Sequence, residues 1–201
     1  NQFGDSSTDP KGQQWQGLSP LGKELVAAAN HLGMILDGSH AHDELVRQMM
    51  DLSKTPIVLS HSGAKSIFDH PRNVPDDILL KLAETGGVIQ MNAFSSYLAK
   101  LPNNPERAKA FAALRAEAEA AGDMTPAQRA EFNARRLEIN IQHPPALASF
   151  NEYMAHFLYV LNLIGPDHVG VSGDFDGGGG GVEDMYDIAA FPYLSARLLK
   201  E

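Results

Sequence analysis

The sequence contains no cysteine, and this absence removes several classes of protein from consideration. A disulfide scaffold, a zinc site built from thiolates and a cysteine nucleophile all need that residue. Positive charge is also scarce, because 16 Lys and Arg residues stand against 25 Asp and Glu residues, for a formal net charge of -9. A surface that binds nucleic acid generally needs the opposite sign, so no nucleic-acid partner is expected.

Long apolar runs and the motif of serine hydrolases are also absent. No stretch approaches the ~20 apolar residues that cross a bilayer, and the polar first residues do not form a signal peptide. No G-x-S-x-G motif occurs, which disfavours a serine hydrolase. Because the chain begins at Asn1 and not at methionine, we expect a fragment, a processed product or one piece of a nicked chain. The compartment, exported or cytoplasmic, therefore stays open.

What the sequence does contain is an alternation of short apolar strands with helices. Strands are predicted at 34–37, 56–60, 88–92 and 168–172. Helices are predicted at 43–53, 75–85 and 147–164, and an Ala-, Glu- and Arg-rich helical hairpin at 105–140. The alternation predicts an α/β fold with a mainly parallel sheet. Four strands do not close a (β/α)₈ barrel, so a small open sheet or part of a barrel are the alternatives.

Three chemically active side chains follow predicted strands. His40 comes three residues after 34–37, His61 directly after 56–60, and Asp174 two residues after 168–172. In parallel α/β folds the C-terminal ends of the strands carry the active site. Neutral imidazole suits zinc, and a nearby carboxylate that is not a ligand can move a proton. These three residues therefore form a candidate metal site with an acid or base beside it.

Other interpretations of the polar residues stay open. A single histidine is more often a hydrogen-bonded structural residue than a metal ligand. Asp174 and Asp176 have the spacing of two close carboxylates, although nothing else indicates sugar chemistry. The same segment begins like a calcium loop but lacks its later carboxylates. The glycine run 177–181 lacks the Lys-Ser/Thr of a phosphate-binding loop and is predicted to be a mobile rim loop, while DHPRN at 69–73 is expected to be a solvated loop.

Four segments, taken in order along the chain, resemble the membrane (renal) dipeptidase family of zinc metallopeptidases. They are GLSPLGKELVAAANHLGMILDGSHAHDE, PIVLSHSGAKSIFDHPRNVPDD, GGVIQMNAF and DHVGVSGDFDG. The resemblance covers 17–98 and 150–192 well and the helical insert less well. It implies a metal-dependent hydrolase-type (β/α)₈ TIM barrel, of which this chain would be a C-terminal part with a helical insertion at 103–146.

The resemblance also implies an activity and a set of site residues. The family hydrolyses dipeptides, with a metal-bound hydroxide attacking the peptide carbonyl at a binuclear zinc site. By this match, His40 and His61 would ligate one zinc, and Asp174 would be the catalytic acid or base. Arg72 would hold the substrate carboxylate in a two-pronged contact, for which a guanidinium is suited. His156 also matches a family histidine and is given no catalytic role.

Part of the family pattern cannot be placed in this sequence. An H-x-D pair and a glutamate that bridges the two metals are expected in family members and are not found here. We therefore expect residues 1–201 to form a partial barrel domain that is inactive alone and retains one complete histidine pair of the two zinc sites. The expected partners are a dipeptide substrate, the N-terminal half of the barrel and, as a further option, a second copy in a homodimer.

Two alternative functions remain beside the dipeptidase. One is a related metal-dependent amidohydrolase that acts on a β-lactam or a tailored peptide. The other is a non-catalytic remnant that serves as a binding module, which would gain weight if His40 and His61 did not converge.

Overall fold

A computed structural model describes residues 2–175 and 181–201 of the chain. It divides into two compact units, Asn1–Ala99 with Ala148–Glu201, and Lys100–Leu147. The first unit contains a parallel sheet with helices, which confirms the predicted α/β class. Asp176 and the glycines at 177–180 lie outside the described residues, so the carboxylate pair and the rim loop stay predictions.

The sheet has four strands, all parallel, in the order β2-β1-β3-β4. The strands are β1 Val58–Ala64, β2 Asn73–Val74, β3 Val88–Met91 and β4 Val169–Val171. Residues 36–38 also pair with Val58 of β1, on the side away from β3, through two backbone hydrogen bonds of 2.9 Å. The order in which 36–38, β1, β3 and β4 meet in space is thus their order along the chain.

Helices account for most of the remaining structure. In the first unit they are α1 Pro20–Leu32, α2 Asp43–Leu52, α3 Asp76–Glu84, α4 Ser95–Leu98, α7 Phe150–Ile164 and α8 Phe191–Leu198, and in the second α5 Pro105–Ala121 and α6 Pro126–Gln142. Their ends follow local chemistry: the Ser19 hydroxyl accepts the N–H of Gly22 to begin α1, and Gly33 ends it at φ 69°. Among the described residues, no helix has the length and apolarity needed to cross a bilayer.

Two predictions from the sequence are wrong, one about a strand and one about a loop. Residues 34–37 do not form a strand of their own, because only Asp37 takes part in a bridge. The segment 69–73 is not a solvated loop either: Arg72 is 5 % exposed, Asn73 is 1 % exposed, and Asn73 begins β2. Hydrogen bonds explain this burial, since the Asn73 amide donates to the carbonyls of Phe68 and Tyr97.

The core of the first unit lies where α3 and α7 cover the sheet. Its centre consists of side chains that are at most 1 % exposed: Leu59, Ile89, Leu79, Leu82, Tyr153 and Val160. An imidazole ring also lies within this layer. His156 of α7 is fully buried, accepts the N–H of Ala64 at 3.0 Å through Nδ1 and donates from Nε2 to the carbonyl of Leu98 at 3.0 Å.

These two hydrogen bonds require a neutral His156 ring with its proton on Nε2. Burial lowers the pKa of His156, and the hydrogen bond to Leu98 and the charge of Glu152 oppose this effect only in part. In the unfolded chain the ring would protonate near pH ~6.5. The unfolded state therefore binds more protons below that pH, and the free energy of unfolding should fall as the pH drops from ~6.5 toward the folded pKa.

Replacing His156 with Gln tests this dependence. The Gln amide can still donate to Leu98, but the Ala64 N–H loses its acceptor, so we expect a loss of ~1–3 kcal/mol at pH 8. The variant should also lose part of the decline in stability below pH ~6.5. Urea unfolding at several pH values measures both effects, with the exposed His31→Gln as the control. An unchanged pH dependence in His156→Gln would show that His156 does not titrate on unfolding.

Candidate metal and catalytic site

The two histidines that the sequence predicts as metal ligands, His40 and His61, meet in the structure. The Nε2 atoms of His40 and His61 lie 2.8 Å apart, and the ring centroids are 4.8 Å apart with the planes tilted by 59°. His40 is exposed, whereas His61 is half-buried. The strand that carries His61 does not end at 60 as predicted: β1 continues to Ala64, so His61 lies within the strand and not after it. The structure thus brings together two residues that are 21 positions apart and faces a nitrogen of each ring toward the other.

Backbone pairing below the rings sets this distance. Val58 donates its N–H to the Leu36 carbonyl, and Gly38 donates to the Val58 carbonyl, each at 2.9 Å. A turn then closes with a 2.9 Å hydrogen bond from the Ala41 N–H to the Gly38 carbonyl, and His40 lies inside that turn. The loop that carries His40 is therefore fixed against the strand that carries His61.

β1 itself is irregular at the histidine. Leu59 pairs with Ile89 and Ser62 with Met91, so β1 advances three residues where β3 advances two. The extra residue lies at Ser60 or His61 and has the character of a β-bulge, a device that changes the direction of side chains at the end of a strand. Ser60 and His61 can consequently interact although they are neighbours in the chain.

A hydrogen-bonded network connects His61 to Asp37. The Nδ1 atom of His61 lies 2.8 Å from the Ser60 hydroxyl, which in turn lies 2.5 Å from the Asp37 carboxylate. The same carboxylate accepts the backbone N–H groups of Ser39 and Ser60 at 3.0 and 3.2 Å. Burial raises the pKa of Asp37, but the hydrogen bonds from Ser60 and Ser39 outweigh this and hold the pKa below its usual value.

Arg72 connects the loop that carries His40 with the part of β1 that carries His61. It is 5 % exposed and donates from Nε to the Ser39 carbonyl at 3.1 Å and from a terminal nitrogen to the His61 carbonyl at 3.4 Å. The other terminal nitrogen donates to the Tyr97 hydroxyl at 3.2 Å. Three of its five N–H groups are therefore used within the described residues, which leaves two for a ligand.

An aromatic cluster surrounds the Arg72 side chain. The guanidinium carbon lies 5.0 Å from the centre of the Tyr97 ring, which packs against Phe94 at 4.3 Å and His70 at 4.5 Å between centroids. Burial and the neighbouring Arg72 charge lower the pKa of His70. The cluster thus supports a buried cation with ring faces and a neutral imidazole.

Asp174 stands at the end of β4 in a left-handed backbone conformation, with φ 53°. Such a conformation is unusual outside glycine and concentrates at functional sites. The buried Asn92, just after β3, donates to the Asp174 carboxylate at 3.4 Å and accepts the Phe94 N–H at 2.9 Å. The carboxylate is therefore held at the edge of the sheet where the histidines lie.

Electrostatics also connect Asp174 with His40. Burial lowers the pKa of His40 most strongly, and the charges of Arg72 and His61 add to this effect. The negative charges of Asp174 and Asp37 act in the opposite direction. His40 therefore lies within range of both carboxylates, and the balance favours a neutral imidazole, the form that binds metal ions.

Whether these residues suit a zinc ion depends on their donor atoms. Two neutral imidazoles with converging Nε2 atoms are typical zinc ligands, and bonds of ~2.0–2.1 Å at a tetrahedral angle place two such atoms about 3.3 Å apart. The observed 2.8 Å requires a small opening of the rings. Within 2–175 and 181–201, no group of three or more His, Asp or Glu residues could hold a metal ion, so the pair supplies two ligands.

Sequence reasoning missed three polar residues of this site: Asp37, Ser60 and Asn92. Each is the last residue of a predicted strand, at 34–37, 56–60 and 88–92. In the structure Asp37 lies in the segment that pairs with Val58, Ser60 lies inside β1, and Asn92 follows β3. The rule that polar residues at the C-terminal ends of parallel strands form the site would have included them. Their small or ordinary side chains gave no separate signal in the sequence.

Comparison with known proteins identifies relatives of the whole chain. The family model described as membrane dipeptidase, peptidase family M19, matches residues 1–201. A fission yeast protein, an uncharacterized dipeptidase of Schizosaccharomyces pombe, is 31% identical over 98% of this chain and 38% of its own length. A dipeptidase from Aspergillus oryzae is 30% identical over 99% of this chain and 37% of its own length.

Solved structures agree with this result. A probable dipeptidase from Pseudomonas aeruginosa is 31% identical and superposes with a TM-score of 0.73 over 100% of this chain and 54% of that one. A metallopeptidase from Rhodobacter sphaeroides, crystallised with a phosphinate mimic of the dipeptide L-Ala-D-Ala, shares the fold at 24% identity and a TM-score of 0.69, over 98% of this chain and 46% of that one. The chain thus spans less than two thirds of the relatives' length.

The position of Arg72 predicts a structural effect of its removal. Arg72→Met keeps an apolar stem but leaves the carbonyls of Ser39 and His61 without their donor, and we expect a loss of roughly 3 kcal/mol in unfolding free energy. Urea unfolding measures this, with the exposed Arg115→Met as the matched control. If Arg72→Met were as stable as Arg115→Met, the three hydrogen bonds would not hold the histidine loops.

Proposed function

This chain belongs to the membrane dipeptidase family, and on that premise we propose that it carries part of the active site of a metal-dependent dipeptidase. The observation that carries the proposal is the pair of Nε2 atoms of His40 and His61, which lie 2.8 Å apart at the C-terminal edge of a parallel sheet. The two curated relatives and the solved structure from Pseudomonas aeruginosa described above, each at least 30% identical to this chain, are named as dipeptidases. These names do not favour a β-lactam-specific amidohydrolase or a non-catalytic module.

We propose zinc as the metal, with His40 and His61 as two of its ligands. Imidazole nitrogens are typical zinc ligands, and zinc in an open site activates water and polarises a carbonyl group. The remaining ligands of this zinc, and the ligands of a second zinc, would be other residues than the ones that the structure brings together. Asp37 and Ser60 support His61 from behind, as hydrogen-bonded partners of metal-binding histidines do.

Asp174 is proposed as the acid and base of the reaction. A carboxylate beside the histidines, but not bonded to them in the structure, can accept a proton from the attacking water at one oxygen. It can then deliver that proton to the nitrogen of the leaving amine. The contact with Asn92 and the left-handed backbone hold the carboxylate in one direction, which suits a group that transfers protons at a fixed place.

Arg72 is proposed to hold the substrate's C-terminal carboxylate. Two of its N–H groups are not used by the hydrogen bonds to Ser39, His61 and Tyr97. A guanidinium offers a carboxylate two parallel hydrogen bonds, and its burial would strengthen them by excluding water. Arg72 would then have two tasks, to fix the histidine loops and to orient a dipeptide against them.

The strand order supports a barrel as the architecture of the whole protein. Residues 36–38, β1, β3 and β4 are neighbours in chain order and run parallel. A doubly wound sheet reverses its order at a switch point, whereas a (β/α)₈ barrel adds each strand beside the previous one. We propose that the sheet is an arc of such a barrel and that the exposed Met34 and Ile35, at 59 % and 77 %, pack against its other strands.

The role of Asp174 can be tested by replacement with Asn in the intact protein. An amide cannot take up the proton, so kcat for dipeptide hydrolysis should fall by ~10²–10⁴-fold. Zinc content, measured by mass spectrometry, should stay near the wild-type value, as it should in the control Asp167→Asn. Loss of zinc in proportion to the loss of activity would make Asp174 a metal ligand instead.

The role of Arg72 is tested with a pair of substrates. Arg72→Lys keeps the charge but not the planar fork, so KM should rise much more for free dipeptides than for C-terminally amidated ones. Comparing the two substrates on one variant separates this effect from any loss of stability, because both are measured on the same folded protein. An equal rise in KM for both would contradict the carboxylate contact.

A further inference from the structure

We propose that Asp37 and Ser60 are positioning residues that fix the tautomer of His61, with the proton on Nδ1 and the lone pair of Nε2 directed toward His40. The inference deepens the proposed function and rests on it only where zinc is concerned. It follows from the directions that the hydrogen bonds between these residues must take.

The Asp37 carboxylate sets the first direction. An ionised carboxylate accepts hydrogen bonds and donates none. One of its oxygens already accepts the N–H groups of Ser39 and Ser60 at 3.0 and 3.2 Å. The other lies 2.5 Å from the Ser60 hydroxyl, and the single hydroxyl proton must therefore point toward Asp37.

The hydrogen bond between the Ser60 hydroxyl and His61 then has only one possible donor. The hydroxyl proton is committed to Asp37, so the hydroxyl oxygen can only accept from the Nδ1 atom of His61, which lies 2.8 Å away. That contact requires a proton on Nδ1, and a neutral ring then has none on Nε2. The Ser39 hydroxyl accepts the His61 backbone N–H at 3.0 Å and lies 3.4 Å from the Ser60 oxygen, which leaves its own proton free for Ser60.

His40 must then differ from His61. Because Nε2 of His61 is an acceptor, the 2.8 Å contact between the rings requires that His40 donates from its own Nε2. His61 thus presents a lone pair at Nε2, the form that binds a metal ion, and His40 is its hydrogen-bond donor in this structure. Two histidines that look equivalent in the sequence have different roles.

The β-bulge allows the side chains of two consecutive residues, Ser60 and His61, to form a hydrogen bond with each other. In a regular strand the side chains of Ser60 and His61 would point to opposite faces. The register shift between Leu59 and Ser62 removes that restriction at these two positions. The contact between Ser60 and His61 therefore depends on the irregular backbone of β1.

Histidine-selective ¹⁵N spectra of the metal-free full chain test the inference directly. In the wild type, His61 should show the Nδ1–H tautomer. In Asp37→Asn, an amide N–H facing Ser60 reverses the hydroxyl, which then donates to Nδ1, so His61 should shift to Nε2–H, as an Asp-to-Asn change does in a serine protease triad. Ser60→Ala should leave a mixture of tautomers, and Ser60→Thr, which restores a hydroxyl, should restore Nδ1–H.

Matched controls remove the same groups elsewhere. Asp51→Asn and Ser66→Ala alter a carboxylate and a hydroxyl that bond to Lys81 and Asp76, away from the histidines. Both should leave the spectrum of His61 unchanged. If His61 kept the Nδ1–H form in Asp37→Asn and in Ser60→Ala, both with native-like amide spectra, the inference would be overturned.

Zinc affinity, measured by competition with a chromophoric chelator, is a second test of the positioning role. Asp37→Asn should bind zinc ~10–100-fold more weakly than Asp51→Asn, the size of effect expected for a partner of a metal-binding histidine. Affinity equal to that of Asp51→Asn, despite a changed tautomer, would also overturn the positioning role. A wild type with the expected tautomers and no zinc binding would support the positioning pair and contradict the proposed function.

Discussion

The backbone pairing of residues 36–38 with Val58 is the constraint on which the candidate site depends. Its two 2.9 Å hydrogen bonds hold a loop that has no strand of its own against the central strand β1. His40 follows the pairing by two residues and His61 by three, so neither ring can move far from the other. A slip of one residue would turn the side chains of the paired segment to the opposite face.

A second set of contacts holds the loop that carries His40 against the part of β1 that carries His61. The buried guanidinium of Arg72 joins the carbonyls of Ser39 and His61, and the Asp37 carboxylate joins the N–H groups of Ser39 and Ser60. The cation binds acceptors and the anion binds donors, so the charges compensate buried backbone groups. The side chains of Arg72 and Asp37, which hold these two segments together, also belong to the candidate active site. Stability and function are therefore expected to change together when these residues are replaced.

The sequence predicted the site at the level of strands and missed it at the level of hydrogen bonds. His40, His61 and Asp174 were found because ionisable residues after apolar runs are visible without coordinates. Asp37 is the last residue of a predicted strand, and its role depends on Ser60, 23 positions away, which only the structure brings to it. Arg72 lies in a segment that the sequence predicts to be solvated, because the carbonyl that holds the buried cation is distant in sequence. The register shift in β1 cannot be predicted from the residues, because it is defined only by how β1 pairs with β3. His156 matched a family pattern, but only the structure shows its two buried hydrogen bonds.

The proposed active site requires that His40 and His61 share one metal ion. Crystals of the protein grown with zinc, and measured at wavelengths on both sides of the zinc absorption edge, test it most directly. We expect an anomalous peak within ~2.0–2.1 Å of the Nε2 atoms of both rings, with the rings opened slightly from their 2.8 Å contact. A zinc-loaded protein whose peak lies elsewhere, while the two histidines remain hydrogen-bonded to each other, would contradict it.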